Sequence, residues 1–404
     1  MRPSSVRKTS NRKGMGAGVR LHWEGRTSPS PPPAVSISRV NGGGAGFTGL
    51  QTEAWRNTLV QGDNLLLLSN LLNGDPARAV RDGVSLIYID PPFAMEADFH
   101  IEELAGSATP ALAFSDSWGS AGAYLQFMHE RLVPMRELLS PDGVLCVHCD
   151  WRANSWLRLL LDEVFGRECF RNEIIWRRAP NLGNQAAAKQ LGRVVDTILV
   201  YTKTPGSTFR GSPPIKSQAV ELTTTGRPGG AKWDQRRKEW FTTAPRGDYT
   251  DASIRQLRRE GRVHQTPSGK VYIKYPLRRG EDGLWYKDQP VDTLWTDDTV
   301  KPLRHCTRSE LDIGYPTQKP LGLLKRIIEW TTREGDLVAD FFCGSGTTLA
   351  AAQQLGRRWI GCDIGERAIR LSAERLSRGA SVDTNPFDLL KVDAAASTPQ
   401  LAAP

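Results

Sequence analysis

Nowhere in its 404 residues does this chain carry the ~18 to 20 consecutive apolar residues that a membrane-spanning helix needs. Its first residues are basic and polar and lack the apolar segment of a secretory signal. The sequence therefore reads as soluble and cytoplasmic, with no membrane partner. Cysteine is sparse: six residues (Cys146, Cys149, Cys169, Cys306, Cys343, Cys362) lie scattered, as free thiols in a reducing compartment would. The run CVHCD, 146–150, invites a metal. Strand alternation puts Cys146 and His148 on one face and Cys149 on the other, and no second ligand pair with metal spacing lies nearby, so no metal is expected. Internal repeats are also missing.

Charge is present and unevenly placed. Residues 1–50 hold eight Lys/Arg against one acid, residues 204–300 hold 17 against 12, and the remainder holds 28 against 31. A near-neutral body with two basic attachments fits a polyanion binder. For the first attachment, a solvated basic tail fits equally well.

Residues 1–50, with SPSPPPAVS and NGGGAG, read as a disordered arm. Order is expected from Trp55. NTLVQGD then reads as a short strand and NLLLLSNLLNG as a buried helix ending at Gly74. VSLIYID is a continuous apolar run, the mark of a strand covered on both faces in a parallel sheet. Helical AYLQFMHERLVPMRELL, strand VLCVHCD, helix WLRLLLDEVFG and strands NEIIWRR and DTILVYTK continue the alternation, which indicates a doubly wound, mostly parallel α/β sheet. From 204 to 300 the pattern gives way to Gly, Pro, Arg and aromatics around one helix candidate, DASIRQLRRE, as in an inserted subdomain. The alternation resumes over 301–380, and residues 381–404 read as a tail.

Two turns carry chemistry. DFFCGSGTTLAAA, 340–352, is a strand, a glycine turn and a helix start. Gly344 and Gly346 let backbone approach a ligand, and the helix N-terminus offers free N–H groups. A tight strand–helix turn is the bland alternative. No Gly-Lys-Ser/Thr follows, which excludes a P-loop. A dinucleotide fingerprint wants a third glycine where Leu349 stands. Asp363, after the next strand, sits where an acid binds ribose hydroxyls, which favours a nucleoside ligand. In YIDPPFA, 88–94, a strand ends on Asp90, and Pro91 and Pro92 force one stiff exit toward Phe93.

Taken in order, GDNLLLLSNLL, YIDPPF, DTILVYTK, GYPTQKPL, DFFCGSGTT and WIGCDIG resemble the N4/N6 amino-DNA methyltransferases. DPPF lies upstream of the glycine turn with the basic insert between them, which is the permuted, beta-type order, and the chain is similar to type III modification subunits. The likeness covers about residues 51–203 and 301–380. It implies the Rossmann-like methyltransferase sheet, with an antiparallel strand at one edge and 204–300 as the target-recognition insert.

It also implies roles. S-adenosyl-L-methionine is the cofactor, with Asp340, Phe341, Phe342, Gly344, Ser345, Gly346, Thr347 and Thr348 holding its methionine part. Asp363 is implied for the ribose, Asp63 lies near the adenine ring, and Thr317, Gln318 and Lys319 of TQKP hold the carboxylate end. The family often has His at Tyr315 and Pro at Phe341. Asp90 supplies a carboxylate and Pro91 a carbonyl to the two N–H bonds of an exocyclic amine, while Pro92 adds stiffness and Phe93 a stacking face for a base flipped from double-stranded DNA. Tyr201 is a second stacking face or a structural residue. Cys343 and Cys362 are expected to pack. Arg236, Arg237, Lys238, Arg258, Arg259, Arg278 and Arg279 are candidates for phosphate or guanine contacts. Asp at the head of the motif and an aromatic after the prolines favour adenine N6, since cytosine-N4 members often carry Ser there. A restriction subunit and a second copy are the protein partners left open. A silent DNA-binding subunit is the rival of another class, and a dehydrogenase the weakest one.

Overall fold

The computed structural model describes residues 20–30, 32, 35, 37–40, 55–73, 80–93, 97–101, 111–179, 191–302, 305, 306, 315, 317–378 and 387–392. Pro213–Asp292 form one compact unit, and the chain on either side of them forms a second, larger one. The larger unit begins with strands β1 (Ile37–Arg39), β2 (Asn57–Gln61), β3 (Val84–Ile89), β4 (Ala97–Ile101), β5 (Ala111–Asp116), β6 (Leu139–Cys149), β7 (Phe170–Arg177) and β8 (Val195–Thr202). The smaller unit holds β9 (Ile215–Val220), β10 (Lys232–Asp234), β11 (Glu239–Pro245), β12 (Val263–Gln265), β13 (Val271–Arg279) and β14 (Trp285–Pro290). β15 (Leu294–Trp295), β16 (Leu337–Asp340), β17 (Arg358–Asp363) and β18 (Phe387–Val392) return to the larger unit. The helices are α1 (Asn64–Asn73), α2 (Ala121–Leu138), α3 (Asn154–Phe165), α4 (Asp251–Arg259), α5 (Leu321–Thr331), α6 (Thr347–Gln354) and α7 (Glu366–Ser377).

Ten strands make one sheet, in the order β1-β18-β2-β17-β16-β3-β6-β8-β7-β15. β18 through β6 run parallel. Their apolar runs suit this: every residue of β3 and of β16 is buried, as in a sheet covered on both faces. Ile87 and Ile89 join the core under α1, α2 and α3, whereas Leu86 and Tyr88 stay outside that core, which is the alternation expected of a strand with helices on either side. An antiparallel strand closes one edge, as the resemblance had implied, where β1 pairs with β18, and a second antiparallel strand lies inside the sheet. β8 runs against both β6 and β7 and so lies inside the sheet. The sheet continues past it because β15 pairs with β7, and Trp295 is buried there.

Two segments expected to lie outside the fold belong to it. Within 1–50, Trp23 packs its indole edge-on against His129, Arg26 pairs with Glu163, and Thr27 and Gln126 exchange hydrogen bonds. β1 then closes one sheet edge against β18. Isolated anchors of this kind carry no periodicity, so composition alone hid them. At the other terminus, residues 387–392 of the expected tail form β18, paired with β2. The rest of both segments lies outside the described residues.

The smaller unit is an antiparallel sheet, β10-β11-β13-β14-β9, with β12 paired to β13. Thr250 caps α4, which packs Ile254 and Leu257 onto Ile273. The unit is shorter at both ends than the expected 204–300. Phe209 stacks edge-on against Trp330, and Arg210 bonds Asp142 and Asp336, so the residues just before Pro213 belong to the larger unit.

Candidate active site

The parallel strands of the larger unit all end along one edge of the sheet. β3 delivers Asp90 there, β16 Asp340, β17 Asp363 and β2 Asp63, so four carboxylates line one rim.

At the end of β3 the Asp-Pro-Pro-Phe turn is held from several sides. Lys319 places its ammonium on Asp90 Oδ2 and lies 5.4 Å from the Phe93 ring centre. Asp90 Oδ1 is buried and has no hydrogen-bond partner among the described residues. A buried acceptor without a donor costs about 1–3 kcal/mol, a cost that a ligand bringing an N–H would remove. Phe93 donates its backbone N–H to Asp116 Oδ2 at 2.9 Å, and Asp116 also accepts from Trp118 Nε1 at 2.8 Å. Behind Phe93 the His148 ring lies nearly parallel, 19° between planes and 6.2 Å between centres. His148 is fully buried and both its nitrogens are engaged, one with the Tyr88 hydroxyl at 2.9 Å and one with Asp196 at 3.2 Å. Burial works to raise the Asp196 carboxyl, but His148, Lys319 and Arg178 outweigh it and hold it below the usual range.

The glycine turn follows β16. Gly344 and Gly346 have φ of 50° and 71°, the left-handed region that favours glycine. A Cβ at Gly346 would stand 2.7 Å from Ser372 Oγ, and one at Gly344 would stand 3.2 Å from the Tyr315 ring. Ser372 of α7 bonds the Gly344 carbonyl at 2.7 Å, and Arg375 bonds Ser345 O and Thr347 Oγ1. Phe341 is buried, and its carbonyl accepts from Asn64. Phe342 lies half-buried beside Phe127, 6.1 Å between ring centres. Asp363 accepts the N–H of Gly344 and of Gly365, both at 2.8 Å, which ties the turn to the end of β17. Burial raises its carboxyl above the ordinary value against these bonds. Asp340 accepts the Phe342 N–H at 3.0 Å, and burial pushes its carboxyl up to about 7. Thr348 is buried in the first turn of α6 and bonds Asp340. Asp63 opens α1, takes the Leu65 N–H and pairs with Arg131 at 2.9 Å. Gln318 is buried next to Lys319, and Thr317 bonds Lys319 through its carbonyl.

The structure thus gathers the residues of the two turns, TQKP and Asp63 along one rim. Lys319 sits on Asp90, whereas the resemblance had implied it for the cofactor's carboxylate end. Tyr201 is not a stacking face: it is fully buried between Phe165 and Phe170, its hydroxyl on Asp162 at 2.6 Å. Cys343 and Cys362 are buried, and burial pushes both thiols well up. Asp116, Arg131 and the Tyr88–His148–Asp196 chain escaped the sequence reading. Each joins residues far apart in the chain, and the only trace was His148 itself, in a run weighed for metal.

The seven basic candidates all lie in the smaller unit and are exposed. Arg237 is bound to Glu239 and to Glu260 O, Arg258 to Gln265, Arg278 to Asp288 and Arg279 to Gly283 O. Among the described residues the side chains of Arg236, Lys238 and Arg259 have no partner.

The family model described as DNA methylase, of the N6/N4 type, matches residues 84–374. The type II methyltransferase M.EcaI of Enterobacter cloacae is 30% identical over 90% of this chain and 79% of its own length. The StyLTI Mod subunit, a type III restriction-modification enzyme of Salmonella typhimurium, is 27% identical over 81% of this chain and 55% of its own. Against the crystal structure of an M1.HpyAVI–SAM complex the TM-score is 0.43, at 15% identity over 79% of this chain and 98% of that one.

Proposed function

The chain belongs to the N6/N4 DNA methylase family, and from that premise we propose that it methylates adenine N6 at specific sites in double-stranded DNA. Asp90 carries this reading. One of its oxygens holds Lys319, and the other is buried with no donor among the described residues, as an acceptor for an amino N–H must be.

S-adenosyl-L-methionine supplies an electrophilic methyl group on a sulfonium. The rim fits it: Gly344 and Gly346 turn the backbone through left-handed conformations into the start of α6, whose N–H groups face the rim, and Asp340, Asp363 and Asp63 put carboxylates beside a cationic, hydroxyl-bearing molecule. Phe341, Phe342 and Ser345 to Thr348 form the turn, Asp363 keeps lone pairs for ribose hydroxyls, and Thr317 and Gln318 border it.

An exocyclic amine is a poor nucleophile because its lone pair is delocalised into the base. Asp90 Oδ1 and the Pro91 carbonyl accept its two N–H bonds and favour a pyramidal nitrogen, whose lone pair then points away from both acceptors. The prolines hold these acceptors before the base arrives, so no reorganisation is needed during reaction. Phe93, backed by His148 and tethered through Asp116, offers its face to a base taken out of the duplex. Asp90 Oδ1 is also placed to take the proton that the amine sheds.

Adenine is favoured by the Asp at the head of the motif and the aromatic at its end. The smaller unit, with Arg236, Lys238 and Arg259 exposed, is the target-recognition part. A homodimer, or a restriction subunit of the kind that Mod relatives serve, is the assembly to look for. Nucleoside analysis of DNA treated with the protein and S-adenosylmethionine tests the reading. N6-methyladenine is expected, and N4-methylcytosine as the only product would overturn the choice of base.

A further inference from the structure

The edge that carries Asp90 continues along the sheet into a group of arginines that the proposed chemistry does not use. β3 and β6 run parallel, with Ile89 opposite Val147, so the residues after Cys149 emerge beside the Asp90 turn. β8 is antiparallel to both β6 and β7, with Cys149 opposite Thr197 and Trp176 opposite Asp196. Its start therefore meets the end of β7 at this same edge. Four guanidinium groups gather here: Arg152 after β6, Arg177 and Arg178 at the end of β7, and Arg193 before β8.

Their arrangement is specific. Trp151 is 47% exposed, although it is large and apolar. Arg193 lies over its ring at 3.6 Å from the centre and Arg152 at 4.8 Å. A guanidinium stacked on an indole keeps its charge and its in-plane N–H donors, which is the geometry that grips a phosphate with two bonds. Acids offset part of the charge, among them Asp150, which pairs with Arg152, and Asp196, which pairs with Arg178 at 3.0 Å. Arg177 is exposed and its side chain has no partner among the described residues. The edge thus carries four guanidinium groups, and it adjoins Phe93 through His148, which touches both Phe93 and Trp176. A core role cannot account for an exposed tryptophan clasped by two arginines.

We propose that this edge is a second DNA-binding surface, carried by the larger unit, that grips the phosphodiester backbone flanking the extruded base. The inference rests on DNA being the substrate. Its partner is backbone rather than sequence, since stacked and paired arginines at a strand edge offer charge and N–H donors without a reading helix or ribbon.

The test is the salt dependence of binding to short fluorescent duplexes with and without a methylation site. It compares wild type, Arg177→Ala/Arg193→Ala, Trp151→Ala and Arg81→Ala, with S-adenosylmethionine affinity and thermal midpoint measured alongside. Arg81 precedes β3, at the opposite edge, and pairs with Glu137. Each lost phosphate contact lowers the slope of log affinity against log salt by about one, so the double variant should lose about two. Its affinity should fall about tenfold or more on both duplexes, with cofactor affinity and midpoint as in wild type. Trp151→Ala should lower the slope in the same direction, and Arg81→Ala should leave it unchanged. An unchanged slope in the double variant, or an equal drop in Arg81→Ala, overturns this surface while leaving the methyltransferase reading intact. Wild type that binds neither duplex at any salt overturns both.

Discussion

The two oxygens of Asp90 have different surroundings, and the difference organises the site. Oδ2 is matched by the Lys319 ammonium, and Oδ1 faces inward with no donor among the described residues. Lys319 thus holds the carboxylate in one orientation and leaves one acceptor for the substrate. Lys319→Met leaves Asp90 without its counter-charge. We expect a loss of about 2–3 kcal/mol in a denaturant titration, at the low end for a buried pair because Asp90 keeps some contact with water. Methyl transfer should fall with it, while the affinity for S-adenosylmethionine changes less. Equal losses in both would return Lys319 to the cofactor. Asp90 and its prolines were legible because they are adjacent in sequence. The salt bridge was not, because Lys319 arrives from the other side of the insert. Asp116 and His148 stayed hidden for the same reason, each meeting Phe93 only through the fold.

Among the elements, the glycine turn was the most legible and also the most altered on inspection. Leu349 stands where a dinucleotide fold keeps its third glycine for close helix–strand contact. Here the space comes from the facing strand instead: a Cβ at Gly361 would stand 2.2 Å from Leu349 Cδ1. The strand before the turn has a consequence for pH. Burial pushes the Asp340 carboxyl up to about 7, so below that pH the group is mostly protonated. With a folded pKa above the unfolded one, Asp340 costs the fold stability as pH rises from near 4 toward 7. A cationic cofactor prefers the ionised form and must displace that proton to bind. Affinity for S-adenosylmethionine, followed by calorimetry, should therefore rise as pH increases through about 7, and Asp340→Asn should flatten the curve. A wild-type affinity that is level between pH 6 and 8 would count against Asp340 facing the cofactor's charge. The alternation of strands and helices was readable from apolar runs, whereas the place of β8 inside the sheet was not, because strand direction leaves no mark on composition.

For the whole molecule, the order of parts followed from the order of motifs, and the extent of the parts did not. The arginine- and aromatic-rich stretch folds as its own antiparallel unit from Pro213 to Asp292, while its flanks join the larger unit through Phe209, Arg210 and Trp295. Residues near the N-terminus bind α2 and α3 through a handful of positions, Leu21, Trp23, Arg26 and Thr27, too few to stand out from a basic, proline-rich background. The proposed chemistry turns on Asp90, so one comparison bears on everything else. Methyl transfer from labelled S-adenosylmethionine to DNA should be measured for wild type and Asp90→Ala, with cofactor binding confirmed for both. The expected result is transfer by wild type and a loss of about a hundredfold to a thousandfold in Asp90→Ala, with cofactor binding retained. Transfer by Asp90→Ala at the wild-type rate would contradict the role of its carboxylate.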